Sequence, residues 1–178
     1  MNPGAPPDAT TRIRAEALGL FARVGFGSTT VDDIAEAAEV GVATIYRRWA
    51  DKAELANDLF SGFIDDFETL AHRPDGPTPK RRFFRMWDDI WAFAHEDPQR
   101  FIFVEAHTHE AWISPANRAR KEELAAQNAD ILEYVGVRAS ADLAHAMTIG
   151  TLTAILRSGT AADKDDVGER IWQALRSA

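Results

Sequence analysis

At 178 residues with 46% hydrophobic side chains, the chain carries enough apolar material for a substantial core, in one domain or two small ones. It has 20 Lys and Arg against 28 Asp and Glu, a formal net charge of −8, which disfavours a sequence-indifferent, basic nucleic-acid coat. Cysteine is absent, which excludes disulfides and thiolate chemistry and fits a reducing compartment.

Residues 1–9, opening with three prolines in the first eight positions, read as a disordered lead. No apolar run of signal-peptide length is present there, and the longest apolar stretch, near 147–156, is too short to span a bilayer. A soluble, cytoplasmic protein is expected. A first helix then carries Ile13, Ala17, Leu20, Phe21 and Val24 on one stripe and stops at Gly25 and Gly27.

Residues 28–55 read as two short helices across a tight turn, followed by a third helix start, the layout of a DNA-reading helix-turn-helix. Thr30 is placed to cap the first short helix, with Asp33 at the reciprocal capping-box position, and the inward stripe is Val31, Ile34, Ala35 and Ala38. Glu39, Val40 and Gly41 form the turn. From Val42 the second short helix sets Ile45 and Trp49 toward the core, so that Arg47 and Ala43 point away from it and Val42 and Tyr46 share the adjacent face. Small side chains around one long cation and one phenol make a surface that can enter a major groove. Asp51 caps a fourth helix, with Glu54 three residues on, and its stripe of Leu55, Leu59, Phe63 and Phe67 is long enough to enter the rest of the molecule.

The segment RPDGPTP at 73–79 breaks the helix and is the clearest linker. A fifth helix at 80–96 and a sixth at 98–113 follow, separated by Asp97 alone. Ser114 and Pro115 open a seventh, which Gly136 ends. An eighth, about 141–158, is apolar or small nearly all round. A ninth, about 165–176, stripes Val167, Ile171, Ala174 and Leu175. No strand alternation is found, and the fold class expected is all-α with about nine helices.

TTVDDIAEAAEV followed by GVATIYRRWADKAEL resembles the amino-terminal signature of the TetR (AcrR-type) family of bacterial transcriptional repressors, over about residues 13–55. Thr30, Thr44, Tyr46, Trp49 and Lys52 occupy that pattern's positions; Arg48 stands where the family more often has His, and Glu39 where it usually has Gly. The resemblance implies that Thr30, Tyr46 and Lys52 hold phosphates while Val42, Ala43, Thr44 and Arg47 lie against base edges. Residues 10–55 would form the DNA-binding domain and 56–178 an effector-binding and dimerisation bundle. Residues 1–55 carry six Lys or Arg against eight Asp or Glu. Cations would therefore have to be concentrated on one face, as Arg47, Arg48 and Lys52 can be, giving specific recognition of a short operator and weak affinity for random duplex.

Beyond the motif, helices five and six concentrate aromatic residues. Glu105 and His109 share the helical stripe of Phe101, Ile102 and Trp112, so they either pair with each other or line an internal pocket. Since TetR-family effectors bind among these helices, Trp87, Trp91, Phe101, Glu105, His109 and Trp112 form the candidate effector pocket. Metal binding is not expected: His107 and His109 lie about 200° apart around a helix axis, and two ligands fall short of a site. No nucleophile, base and orienting-group set stands out, so neither catalytic residues nor a cofactor are expected. On the eighth and ninth helices Met147, Gly150, Thr151, Ala154, Ile171 and Leu175 are the candidate dimer interface, as the resemblance also implies. The expectation is a ligand-responsive, homodimeric repressor of a palindromic operator, released by a small, largely apolar effector. The alternative is an all-α small-molecule-binding protein or enzyme that keeps the helix-turn-helix as scaffold.

Overall fold

The computed structural model describes residues 7–107 and 110–177 of the chain. They form helices and connecting turns, with no strand among the described residues: α1 (Ala9–Val24), α2 (Val31–Ala37), α3 (Val42–Tyr46), α4 (Lys52–Glu68), α5 (Pro79–Glu96), α6 (Pro98–His107), α7 (Pro115–Tyr134), α8 (Ala141–His145), α9 (Thr151–Ser158) and α10 (Lys164–Ser177). Between α8 and α9 the chain makes a π-helical turn, Ala146–Gly150, with helical backbone angles at both ends, so the three segments form the single rod expected over 141–158.

Helix starts follow short polar residues that satisfy the free N–H groups of the first turn. The side chains of Asp8, Thr30, Asp51, Thr78 and Ser114 each accept from the backbone N–H three residues on. Asp8 and Ala9 therefore belong to α1 rather than to the lead, whose residues 1–6 lie outside the described residues. Helix six ends at His107, short of the expected 113. Ser114 must be extended (φ −62°, ψ 150°) to cap α7 ahead of Pro115, and the chain unwinds before it through turns at Glu110 and Ile113.

Two apolar clusters divide the core. The larger joins Ile13, Phe21, Ile34, Ile45 and Trp49 to Leu55, Phe60 and Phe63 of α4, to Phe101 and Phe103 of α6, and to Leu152 of α9. It therefore runs without a break from the amino-terminal unit into the carboxy-terminal bundle. The smaller holds Phe83 and Trp87 of α5, Ile131 of α7 and Val135 just after it, and Ile171, Trp172 and Leu175 of α10. Trp91 packs against both.

Candidate nucleic-acid interface

The turn between α2 and α3 is built from local hydrogen bonds. The Thr30 hydroxyl accepts from Asp33 N–H at 3.1 Å while the Asp33 carboxylate accepts from Thr30 N–H at 2.8 Å and from its hydroxyl at 2.6 Å, a complete capping box. These bonds hold the Asp33 carboxyl below its ordinary pKa. Glu39 closes α2 in the left-handed region, φ 52°, and Val40 N–H returns to Ala35 O at 3.0 Å. A non-glycine residue thus adopts the conformation for which the resembled pattern usually has Gly.

Helix α3 is held from behind. Ile45 and Trp49 are buried, while Ala43, Arg47 and Arg48 are exposed and Tyr46 is 53% exposed. The Trp49 indole donates to Asp58 Oδ2 of α4 at 3.0 Å, and Arg14 of α1 forks onto both Asp58 oxygens at 2.8 and 2.9 Å. On the outer face the Arg47 guanidinium donates to the Thr44 hydroxyl at 3.1 Å. Neither Arg47 nor Arg48 is ion-paired among the described residues; Arg48 lies over the Trp49 ring, 5.8 Å from its centroid. Asp32, Glu36 and Glu39 are exposed on the flank of α2, so the cationic surface is narrow.

Lys52 departs from the expected phosphate contact. Its ammonium turns inward to donate to Phe26 O at 2.6 Å and Thr29 O at 2.5 Å, and sits 4.3 Å from the Phe26 ring centroid. These carbonyls belong to the loop after α1, where backbone acceptors lacking helical partners need a donor. The Thr30 hydroxyl is likewise engaged in its own cap.

The expected pocket residues are brought together only in part: Trp87 and Trp91 meet edge to face with ring centroids 5.5 Å apart, but the set is divided between the two cores. Trp87 is buried in the smaller core with its indole donating to Lys164 O at 2.9 Å, whereas Phe101 is buried in the larger one, because α5 and α6 turn different faces to different neighbours. Trp112 leaves helical structure and stacks on Phe26, ring centroids 4.6 Å apart. His109 lies outside the described residues. Glu105 bonds His145 of α8 at 3.2 Å, and burial lowers the pKa of nearby Lys121 while the Glu105 charge opposes that shift.

At the expected dimer interface, Gly150 and Ala154 are exposed and Met147 and Thr151 are partly covered. Ile171 and Leu175 are buried inside the protomer against α5 and α7, which withdraws both from direct contact with another copy. Composition alone could not separate these residues from a surface stripe.

Several residues joining the two halves escaped sequence reasoning. Asn57 of α4 donates to Trp112 O at 2.9 Å and accepts from Ser114 N–H at 2.8 Å, and the buried Asn117 donates to Asn57 O at 2.9 Å. With the Phe26–Trp112 stack, this network fastens α4 and the loop after α1 to the start of α7. The only local signal is a polar Asn57 close to the apolar stripe of α4.

Residues 13–59 match the model of bacterial regulatory proteins of the tetR family. An uncharacterized HTH-type transcriptional regulator of Mycobacterium tuberculosis is 35% identical over 103 residues, 57% of this chain and 50% of that protein, so the chain spans about half the length of such curated relatives. Among solved structures, a TetR family transcription regulator from Marinobacter aquaeolei superposes with a TM-score of 0.72 at 23% identity, over 94% of this chain and 95% of that one. The transcriptional regulator FadR from Bacillus subtilis, solved in complex with stearoyl-CoA, gives a TM-score of 0.64 at 18% identity, over 94% and 97%. These likenesses extend the common fold beyond the matched amino-terminal residues.

Proposed function

We propose that this chain, whose residues 13–59 match the tetR-family model, is a regulator of that family: a homodimeric repressor that binds a palindromic operator and releases it on taking up a small, largely apolar effector. The observation that carries this reading is the outer face of α3: Ala43, Tyr46 and Arg47 are exposed while Ile45 and Trp49 anchor the helix from within. Among the described residues Arg47 has no ion pair, so its guanidinium is available to a base edge from a surface of otherwise small side chains. Val42, Ala43, Thr44 and Arg47 are assigned to base edges, and Tyr46 to a phosphate together with the backbone at the start of α2 beside Thr30. Lys52 is assigned instead to holding the loop after α1.

Residues 10–55 form the DNA-binding part in this reading and 56–178 the effector and dimerisation part. The exposed face of α9 around Gly150 and Ala154 meets its copy, placing two recognition helices about 34 Å apart along one face of a duplex. Effector binding shifts α5 to α7, and α4 with the Asn57–Asn117 network passes the shift to α3; a coupling of about 1–3 kcal/mol is enough to empty an operator. The test is selection of bound fragments from random duplex DNA by the full chain. A recovered palindrome with half-sites one helical turn apart supports the reading, and recovery of unrelated sequences overturns it.

A further inference from the structure

A surface groove of about 740 Å³ opens between the second half of α4, the last two turns of α5 and the first turn of α6. Its floor is aromatic. Phe63, Phe67 and Phe93 interlock with centroids 5.3–5.6 Å apart, Phe63 and Phe93 facing the groove. Its rim is acidic: Asp66 from α4, Asp89 and Glu96 from α5, and Asp97 before α6. Arg100 is the one cation of the lining, and it is spent on Asp66 at 2.6 Å. Among the described residues Asp89, Glu96 and Asp97 have no cationic partner within ion-pair distance.

We propose that this groove binds a lipophilic organic cation, with the phenylalanine floor taking its apolar body and Asp89 and Glu96 its charge. The observations favour that occupant over the others. Negative faces of aromatic rings attract cations, and the Arg100 guanidinium already lies 5.8 Å from the Phe63 centroid. Asp89 and Glu96 stand seven residues apart on one stripe of α5, about 10 Å along the axis, too far for a metal ion to bridge but within the span of a bulky cation. An anion would be repelled by the exposed, uncompensated carboxylates of the rim, and a neutral ligand would gain nothing from them.

The groove also reaches the DNA-binding part. Gln99, beside Arg100 on the first turn of α6, lies against Gly19 of α1, where an added Cβ would be 3.4 Å from Gln99 Oε1. A ligand that displaces the first turn of α6 therefore presses on α1. This role as the effector site rests on the regulatory reading above; binding itself does not.

The experiment titrates the full chain with tetraphenylphosphonium and with tetraphenylborate, two probes of one shape and opposite charge, by calorimetry. Tetraphenylphosphonium is expected to bind at least tenfold tighter than tetraphenylborate, and to weaken at least tenfold in an Asp89→Asn, Glu96→Gln double variant whose circular dichroism matches the wild type. Added salt should weaken it as well. No binding of tetraphenylphosphonium, equal binding of the two probes, or an undiminished affinity in the double variant overturns the proposal. Operator binding measured in parallel separates the two readings. Tetraphenylphosphonium held in the groove with operator affinity unchanged supports the site and overturns its effector role, whereas operator release that survives the double variant overturns the groove and supports ligand control elsewhere.

Discussion

The Trp49 indole N–H donates to the Asp58 carboxylate at 3.0 Å, so the turn that follows α3 is tied to the second turn of α4. Arg14 grips the same carboxylate from α1, and the hydrogen bonds to Asp58 raise the already high pKa of its guanidinium. One side chain thus sets the angle between α1, the end of the α3 turn and the long helix that leads away from them.

Replacing Asp58 by Ala leaves an indole N–H and a guanidinium without their acceptor. The pair is partly solvated, with Asp58 29% and Arg14 43% exposed, so the loss is set near the lower part of the range for charged hydrogen bonds, about 1–2 kcal/mol. Asp58→Asn keeps one acceptor and should cost less. Urea unfolding of both variants checks the order, and equal stability of wild type and Asp58→Ala would refute the role.

Gly168 of α10 faces the buried Trp87 ring, and a Cβ there would stand 2.8 Å from Cδ1 and Nε1 and 3.1 Å from Phe84 Cε1. The indole cannot retreat, since its N–H is held by Lys164 O and the ring is fully covered. Gly168→Ala gains helix propensity of roughly 1 kcal/mol yet overpacks a rigid contact at about 1–3 kcal/mol, so a net loss and a lower Tm are expected. A raised Tm in a thermal scan would show that α10 can shift outward freely.

What the sequence made legible is what depends on residues three or four apart. The caps at Thr30, Asp51 and Ser114 and the opposed faces of Ile45 and Arg47 all follow from helical spacing. Contacts between distant segments left no such trace. Arg14 and Asp58 lie 44 residues apart, and Lys52 meets carbonyls 23 and 26 residues before it. The aromatic residues of α5 and α6 announced burial without saying which core each would join, and Ile171 and Leu175 announced an apolar face without saying that α5 and α7 would cover it.

Glu39 occupies the left-handed region at φ 52°, where a side chain with a Cβ is disfavoured. Glycine there relieves the strain but adds freedom to the unfolded chain, so Glu39→Gly should stabilise by about 0.5–1 kcal/mol. Glu39→Gln keeps the strain and should leave the urea midpoint unmoved. A destabilised glycine variant would mean that the turn relies on the Glu39 side chain.

The Asp33 carboxyl is held below its ordinary value of 3.8 by hydrogen bonds from the Thr30 side chain and backbone, Asp8 by those of Thr11, and Glu169 below 4.5 chiefly by Lys80. A carboxyl with a lowered folded-state pKa contributes stability that is present above its unfolded pKa and is lost as the pH falls through the folded one. Asp33→Asn should therefore be less stable than wild type at neutral pH, with the difference shrinking as pH drops below the ordinary carboxylate range. Urea midpoints between neutral pH and acid would show this, and a difference that persists unchanged into acid would contradict the ionic cap.

The inward turn of Lys52 separates two roles that its position in the motif leaves confounded. If its ammonium serves the carbonyls of Phe26 and Thr29, Lys52→Met removes two charge-assisted hydrogen bonds and the cation over the Phe26 ring and should lower stability by about 1–3 kcal/mol. If it neutralised a phosphate, the same variant would reduce the slope of log affinity against log salt by about 1 for a selected duplex. The geometry predicts the stability loss with an unaltered salt slope. Tyr46→Phe and Arg47→Ala, on the exposed face of α3, should do the reverse: weaken the duplex complex while the urea midpoint stays within about 0.5 kcal/mol of wild type. A reduced slope without any change in stability would place the Lys52 ammonium on DNA and require it to leave both carbonyls on binding.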